Sequence, residues 1–400
     1  MRATKTKSER EKNEYFHFGD FDKCAEVALY YGFTPIAPPP LSRADSTKTG
    51  RLLHEAGGGG EKELAEVEAR AAIIRTFITK FTTIPQPVSL YCGDPPHPRL
   101  RRRGGGRRFE LSVIGTAKSI AEATIIKTAF EIFKENGYQN IYVELNSTGD
   151  SESFSRFARE LSAFYRKHAE HLPPPCRQTA RTDVFALLNC EHEKCLSLRE
   201  EMPAPVGFLS ESERAHFREV LEFLEMLEIP YKISSNLIGN RFLNPQTVFE
   251  IKAAPETTGD KPSLLASGSR FSALARKLGW RHDLPVVDLL GTLGEGSARK
   301  RAVLKVRKPS VYFIQLGYEA KLKSLMVIEI LRQARIPLYQ SLTRDKFLSQ
   351  ISLAESMNIP YCLIMGQKEA IENSVIIRHM QTRSQETVPI SELPRYLKNL

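Results

Sequence analysis

The sequence lacks the features of a membrane, secreted or disulfide-stabilised protein. In its 400 residues no apolar run approaches the roughly 20 residues that a membrane-spanning helix needs. No apolar segment follows the basic N-terminus, where a secretion signal would place one. The six cysteines are scattered along the chain, which favours reduced thiols over a disulfide framework. We therefore expect a soluble, cytoplasmic protein with no membrane contact.

Sequence signals for bound metals and phosphates are also scarce. Cys176, Cys190 and Cys195 could supply zinc ligands, but their spacing is irregular, so no metal site is expected. The glycine runs at residues 57–60 and 104–106 lack the strand-loop-helix frame and the Lys-Ser or Lys-Thr of a phosphate-binding loop. We interpret both runs as flexible linkers.

An excess of positive charge is present instead. The formal net charge is +10 and the isoelectric point is near 9.2, which favours a polyanionic partner such as a nucleic acid. Residues 93–108 form a loop-like segment rich in proline, glycine and arginine. As a solvated charge run the segment needs no function, whereas as a glycine-hinged loop it would contact RNA phosphates. The candidate RNA-binding residues are Arg99, Arg101, Arg102, Arg103, Arg107 and Arg108.

The C-terminal quarter alternates between strand and helix patterns. Short runs rich in β-branched and aromatic residues predict strands, and apolar residues at helical spacing predict the segments between them as helices. This alternation indicates an α/β domain with a mainly parallel sheet covered on both faces. We predict strands at 311–316, 338–342 and 360–365, helices at 319–335, 347–357 and 393–400, and a hairpin of 374–380 with 386–390.

The first three quarters of the chain indicate a mixed α+β core. We predict a disordered tail at 1–15, a core at 16–298, a linker at 299–309 and the α/β domain at 310–400. Within the core, periodicity predicts helices at 16–31, 62–80, 119–136 and 211–229, and strands at 33–37, 88–92, 109–114 and 141–145.

Several segments resemble histidyl-tRNA synthetases. Residues 348–369, LSQISLAESMNIPYCLIMGQKE, together with SVIIR at 374–378 and QETV at 385–388, are similar to the anticodon-binding domain of that family. LNSTG at 145–149 and TVFE at 247–250 are similar to its catalytic core. The resemblance implies a class II synthetase-type core with an antiparallel sheet, an anticodon-binding-type domain, a homodimer, and tRNA or another RNA as partner.

The same alignment implies that the active-site motifs are degenerate. The family's catalytic arginine falls at Gly239, the arginine of its third motif is missing, and that of its second motif is missing unless Arg99 takes its place. Val113 replaces the glutamine of the ATP site, and Ala117 replaces the acidic residue that grips the amino group of histidine. Adenylation needs cations to stabilise the reacting phosphates, so we expect an inactive core with no catalytic residue and no cofactor.

Two functions therefore remain open. The preferred one is a synthetase paralogue without aminoacylation activity that binds tRNA or another RNA, or regulates a partner. The alternative is a divergent active histidine–tRNA ligase that uses ATP and Mg²⁺, with Glu68, Arg241 and Arg270 as catalytic residues. Against the alternative, Arg241 lies two residues from the required position, which is about 6.6 Å along a strand.

Overall fold

The protein consists of a large mixed sheet with helices packed against it, followed by a smaller α/β domain. The computed structural model describes residues 15–21, 23–55, 60–82, 86–100, 106–243, 245–255, 257, 260–294 and 302–400. The strands of the first part are β1 Tyr15–Phe21, β2 Thr34–Ile36, β3 Val88–Cys92, β4 Arg107–Ile114, β5 Ile141–Ser147, β6 Tyr231–Ile233, β7 Thr247–Ala253, β8 Ser263–Phe271, β9 Val286–Leu293 and β10 Ala302–Arg307. Its helices are α1 Lys23–Tyr30, α2 Arg43–Glu55, α3 Glu61–Lys80, α4 Ile120–Glu135, α5 Ser151–Lys167, α6 Pro174–Thr182, α7 Glu193–Ser197, α8 Glu211–Met226 and α9 Leu274–Lys277.

An eight-stranded sheet organises the core. Its strand order is β2-β3-β4-β9-β8-β7-β5-β6, with antiparallel pairing throughout except at the two edges, where β2 and β6 run parallel to their neighbours. Strand residues alternate between the two faces of a sheet. In β4, Phe109 and Leu111 belong to the apolar core under α4, whereas Glu110 and Ser112 point to the face that α3 covers. The expected α+β core with an antiparallel sheet is confirmed.

The remaining elements form the C-terminal domain. They are β11 Val311–Gln315, α10 Tyr318–Gln333, β12 Tyr339–Gln340, α11 Phe347–Ser356, β13 Tyr361–Met365, α12 Gln367–Glu372, β14 Ser374–His379, β15 Gln385–Pro389 and α13 Leu393–Lys398. The sheet order is β12-β11-β13-β14-β15, with β12, β11 and β13 parallel and β14 and β15 forming the predicted antiparallel hairpin. The predicted strand and helix alternation is confirmed, and α12 is a short helix that the sequence pattern did not predict.

Helix α10 joins the two parts. It contacts α1, α4 and α8 of the core, and its apolar residues Leu325 and Ile328 belong to the same hydrophobic cluster as the helices of the core. The hydroxyl of Tyr31 donates a 2.6 Å hydrogen bond to Glu329 of α10. The C-terminal domain is thus packed directly onto the core.

The two ends of the core differ from the sequence-based expectation. Residues 16–31, predicted as one helix, contain strand β1 followed by the shorter helix α1. The predicted linker at 299–309 contains β10, which pairs antiparallel with β1, so that Phe16 lies opposite Val306. A two-stranded pairing between segments almost 300 residues apart leaves no local signature, which explains why periodicity alone missed it. Of the predicted tail, residues 1–14 lie outside the described part of the chain.

Two further differences concern the core. Helix α2 was not predicted, because its sequence RADSTKTGRLLHE carries few apolar residues. Arg107 and Arg108 begin strand β4 and are not part of the preceding loop. Within the described ranges no helix combines the length and the apolar character that crossing a membrane would require.

Candidate functional site

A small cavity lies where three strands of the large sheet end beside the first turn of α8. Its volume is about 180 Å³. Pockets that enclose a small-molecule ligand usually measure roughly 300–1,000 Å³, so this cavity is small for a nucleotide. The residues that line it come from the segment after β4, from the ends of β5 and β8, from the start of β7 and from the first two turns of α8. They are Ala117, Ser147, Gly149, Ser212, Glu213, His216, Gln246, Thr247, Arg270 and Ser272.

Arg270 lines this cavity but its guanidinium is held by the protein. Its Nε donates to Glu122 Oε1 at 2.5 Å, and its Nη2 donates to Glu122 Oε2 at 2.5 Å. The carbonyls of Thr116 and Lys118 accept from Nη1 and Nη2 at 3.0 and 2.9 Å. Arg270 is 3% exposed. The resemblance implied Arg270 as a catalytic residue only if the protein is an active ligase, which stays a prediction. The structure places Arg270 beside the cavity and pairs its charge with Glu122 inside the protein.

Glu122 is the centre of a buried charge cluster. Its carboxylate also lies 2.8 Å from Nε2 of His216. Burial by itself would raise the pKa of Glu122, but the charge of Arg270 and the hydrogen bonds from Arg270 and His216 outweigh it and lower the pKa to about 2. Glu122 is therefore ionised at neutral pH and keeps Arg270 in place.

Glu213, the carboxylate in the lining, has a structural role. It accepts hydrogen bonds from the backbone N–H of Ser210 at 2.7 Å and from the hydroxyl of Ser153 at 2.8 Å, which caps the start of α8. Gly149 has φ +68, and a Cβ there would lie 2.9 Å from the Glu213 carboxylate. Ala117 offers no hydrogen-bonding side chain to the cavity. Val113, 4% exposed, belongs to the hydrophobic core.

Glu68 and Arg241 lie away from Arg270. Glu68 is on α3, which packs on the opposite face of the sheet, and its carboxylate lies 2.7 Å from His97 Nε2. Arg241 begins a turn of 3-10 helix and is not in a strand, so the expected strand register does not apply. Its Nη1 and Nη2 donate to Asp183 at 2.9 and 2.7 Å, and its guanidinium lies 5.1 Å from the ring centre of Phe185. The structure does not bring the three conditional catalytic residues together.

A second buried charge cluster was missed by the sequence analysis. Arg70 Nε lies 2.6 Å from Asp288 Oδ2, and both side chains are almost fully buried. Glu110 is next to them, and its burial raises its pKa to about 8. The charge of Asp288 also raises this pKa, whereas the charge of Arg70 lowers it in part. Asp288 faces α3, whereas Arg270 faces α4. Arg70, the partner of Asp288, and Arg270 therefore lie on opposite faces of the sheet. Acidic residues in the apolar strands β4 and β9 were the available sequence signal.

The candidate RNA-binding arginines divide into three groups. Arg99 has an exposed side chain that lies 3.3 Å from Glu61. Arg107 Nη2 donates to the hydroxyl of Tyr91 at 3.2 Å, and Arg108 Nη1 donates to the carbonyl of Leu100. Arg101, Arg102 and Arg103 lie outside the described residues. RNA contact by this segment stays a prediction. In that prediction, Arg107 and Arg108 would contact RNA from the start of strand β4.

A larger groove lies between α5 and α6, and sequence reasoning missed it. Its volume is about 960 Å³, with alanines on its floor and the carboxylate of Glu160 among its lining groups. Two arginines on each helix, seven residues apart on α5 and four apart on α6, share a helical face, and this spacing was the available sequence signal. The four arginines are Arg159, Arg166, Arg177 and Arg181.

Comparison with known proteins shows what the chain is similar to. The anticodon binding domain family matches residues 310–400. The chain is 28% identical over 340 residues to the histidine–tRNA ligase of Listeria monocytogenes serotype 4b (strain F2365), covering 82% of this chain and 80% of that protein. It is 24% identical, over an alignment of 413 residues, to the histidine–tRNA ligase of Dehalococcoides mccartyi (strain ATCC BAA-2266 / KCTC 15142 / 195), covering 96% and 95%.

The fold agrees with these sequence matches. The solved structure of apo S. aureus histidyl-tRNA synthetase superimposes with a TM-score of 0.50 at 18% identity, covering 100% of this chain and 99% of that one. The matches extend over both the sheet-based core and the C-terminal α/β domain. With its antiparallel sheet core followed by an anticodon-binding domain, the chain is similar to histidyl-tRNA synthetases in sequence and in fold.

Proposed function

We propose that this protein is a synthetase-like RNA-binding protein that does not activate histidine. It binds tRNA, or another RNA, through its anticodon-binding domain and its arginine-lined groove, and acts as a cytoplasmic homodimer. The observation that carries the proposal is the ion pair between Arg270 and Glu122. The arginine that lines the cavity has its charge neutralised before any substrate arrives.

Phosphate binding by Arg270 would require this ion pair to open. That would leave the Glu122 carboxylate, 0% exposed, without its partner, and uncompensated buried charges typically cost about 3–5 kcal/mol. Arg70 is held in the same way by Asp288, whereas the pair of Arg241 with Asp183 has side chains 40% and 34% exposed and is therefore weaker. None of these guanidiniums is presented to a common cleft within the described part of the chain.

ATP and Mg²⁺, which the fold family implies, do not fit the cavity well. Its volume of about 180 Å³ is below the usual range for a ligand of nucleotide size. Magnesium prefers carboxylate and water oxygens. Glu213, the carboxylate in the lining, already caps α8. The cavity therefore does not support a catalytic step that uses ATP.

RNA binding rests on charge and on the domain match. The net charge of +10, the anticodon binding domain at 310–400 and the four arginines of the groove all favour a polyanion. Arginine suits this role because its planar guanidinium donates to phosphate oxygens in pairs. Regulation of a partner protein remains compatible with the same surfaces.

Histidine-dependent exchange of pyrophosphate into ATP tests the absence of activation. We expect no histidine-dependent exchange above a no-enzyme control, even at millimolar histidine. The curated relatives named histidine–tRNA ligase favour the alternative, a divergent active ligase. Clear exchange that is lost in the Arg241→Ala variant, with its fold intact by circular dichroism, would establish that alternative and remove the pseudoenzyme proposal.

Fluorescence anisotropy with labelled tRNA tests RNA binding. In the double variant Arg159→Glu and Arg181→Glu we expect at least tenfold weaker binding and a salt slope reduced by about 1 per lost phosphate contact. The matched control is Arg51→Glu on α2, an exposed position at which the same charge is reversed. Equal affinity of the double variant and the control would exclude the groove.

The basic loop requires its own variant in the same assay. Replacing Arg101, Arg102 and Arg103 by serine removes three positive charges without touching β4. A weaker complex with a lower salt slope would confirm the predicted contact. An unchanged complex would leave the groove and the C-terminal domain as the RNA-binding surfaces.

A further inference from the structure

Three cysteines that are well separated in sequence come together in the segment between α5 and α8. The Sγ atoms of Cys176, Cys190 and Cys195 all lie within 4.8 Å of one another. Cys176 lies near the start of α6, Cys190 lies before α7, and Cys195 is within α7. The sequence named these three cysteines as possible zinc ligands, but their irregular spacing led to the expectation of no metal site.

The sulfur positions fit a metal centre better than a disulfide. The Sγ atoms of Cys176 and Cys190 are 3.8 Å apart. A disulfide would need about 2.05 Å. Two thiolates bound to one tetrahedral zinc ion at about 2.3 Å each have their sulfurs roughly 3.8 Å apart. The distance in the structure, which is also that of a contact between two thiols, is compatible with two ligands on one ion.

We propose that Cys176, Cys190 and Cys195 bind a structural Zn²⁺ ion. Three protein sulfurs leave one tetrahedral position, which a water molecule would fill, because Nδ1 of His192 already accepts the backbone N–H of Lys194 and caps α7. Binding releases the three thiol protons to solvent as the sulfurs ligate as thiolates, and no electron is transferred. Zinc is favoured over magnesium or calcium, which prefer oxygen ligands.

A positive charge and a path from solvent accompany the cluster. Arg199 donates to the Cys190 carbonyl at 3.0 Å and brings a positive charge next to the cluster. Cys195 is 3% exposed, whereas Cys176 and Cys190 are half-buried, so an ion has a path to the sulfurs.

The metal would stabilise a part of the chain that has a small core of its own. The segment between α5 and α8 is built from short helices, and its apolar cluster contains Phe157, Leu161, Leu187 and Cys195 itself. Small cores of this kind are commonly reinforced by a metal or a disulfide. Asp183, which holds Arg241, lies between Cys176 and Cys190 in the chain, so the ion would also fix the contact between this segment and the loop before β7.

Metal content of the full chain is the first test. We expect about one zinc per chain by mass spectrometry after purification with reductant and without chelator. Cobalt exchanged for zinc should give thiolate-to-cobalt charge-transfer absorption in the near ultraviolet and tetrahedral bands in the visible. Metal-free protein that gives neither absorption when cobalt alone is added would overturn the proposal.

Variants assign the ligands. Cys190→Ser should lower the zinc content at least tenfold, whereas Cys24→Ala, which removes a buried thiol of α1 outside the cluster, should keep it. If Cys190→Ser does not fold, cysteine alkylation of the native chain replaces it: zinc should slow the labelling of Cys176 and Cys190, and chelator should restore it. Equal labelling with and without zinc, or a Cys176–Cys190 disulfide in protein free of metal, would refute the site.

Discussion

Arg270 and Glu122 form a two-point ion pair inside the core, with side chains 4% and 0% exposed. The arginine comes from β8 and the carboxylate from α4, so the pair connects the sheet to the helix that covers it. The charge of Arg270 is thus balanced inside the fold. Structural and catalytic roles of Arg270 can be separated, because the first predicts a loss of stability and the second a loss of activity alone.

Removing one partner of this pair should destabilise the protein strongly. For Arg270→Met we expect the free energy of unfolding to fall by about 3–5 kcal/mol, because Glu122 is left as an uncompensated buried charge. Urea denaturation measures the loss. The double variant Arg270→Met and Glu122→Met should recover most of it, since no lone charge remains. Arg270→Met as stable as the native protein would contradict the structural role.

The same pair predicts how stability depends on acid. The pKa of Glu122 in the folded protein is about 2, against an ordinary value of 4.5. Its stabilising effect is complete above the unfolded value and is lost as pH falls from about 4.5 to 2, at up to about 1.4 kcal/mol per pH unit. Urea midpoints measured across this range should fall more steeply for the native chain than for Glu122→Gln. Parallel curves would contradict the assignment.

Glu110 predicts an effect of the opposite sign. Its pKa in the folded protein is about 8, so between about pH 4.5 and 8 the folded state keeps a proton that the unfolded chain has released. Stability contributed by this group therefore falls as pH rises through that window and is constant above it. Glu110→Gln, which keeps the shape and removes the titration, should gain stability relative to the native chain as pH increases. Glu144→Gln, at a half-buried pair with Lys252, is the comparison.

The packing of the C-terminal domain on the core should depend on Arg332. Its guanidinium contacts Glu131 and Glu135 of α4 at 3.4 and 3.2 Å, and its side chain is 9% exposed. For Arg332→Ala we expect a loss of about 2–4 kcal/mol and faster hydrogen exchange in α10, because acidic groups of both parts then face one another without a cation.

A surface pair provides the control for this prediction. Lys368 and Glu372 form an exposed pair 3.9 Å apart within the C-terminal domain, and Lys368→Ala should change stability by less than about 1 kcal/mol. If Arg332→Ala behaves like Lys368→Ala, the contact between α10 and α4 does not join the two parts energetically.

Local sequence was enough to predict the C-terminal domain. Its strands are short apolar runs and its helices have regular apolar spacing, so periods of about 2 and 3.6 residues identify them without knowledge of the rest of the chain. The same local rules failed for β1 and β10, whose pairing depends on segments at opposite ends of the core. The sequence did not predict helix α2 for a related reason, because contacts with α3 stabilise a polar sequence there.

The sequence by itself predicted the resemblance to histidyl-tRNA synthetases and most of the strands and helices of the C-terminal domain, because both are encoded in neighbouring residues. Only the tertiary structure decided which partner each charged side chain has. In it, Arg270 pairs with Glu122, Arg241 with Asp183 and Arg70 with Asp288, and three thiols from separate turns lie together. Partners of this kind are separated by up to about 220 residues, so no local spacing rule can assign them, and a buried charge reveals its role only once its neighbour is known.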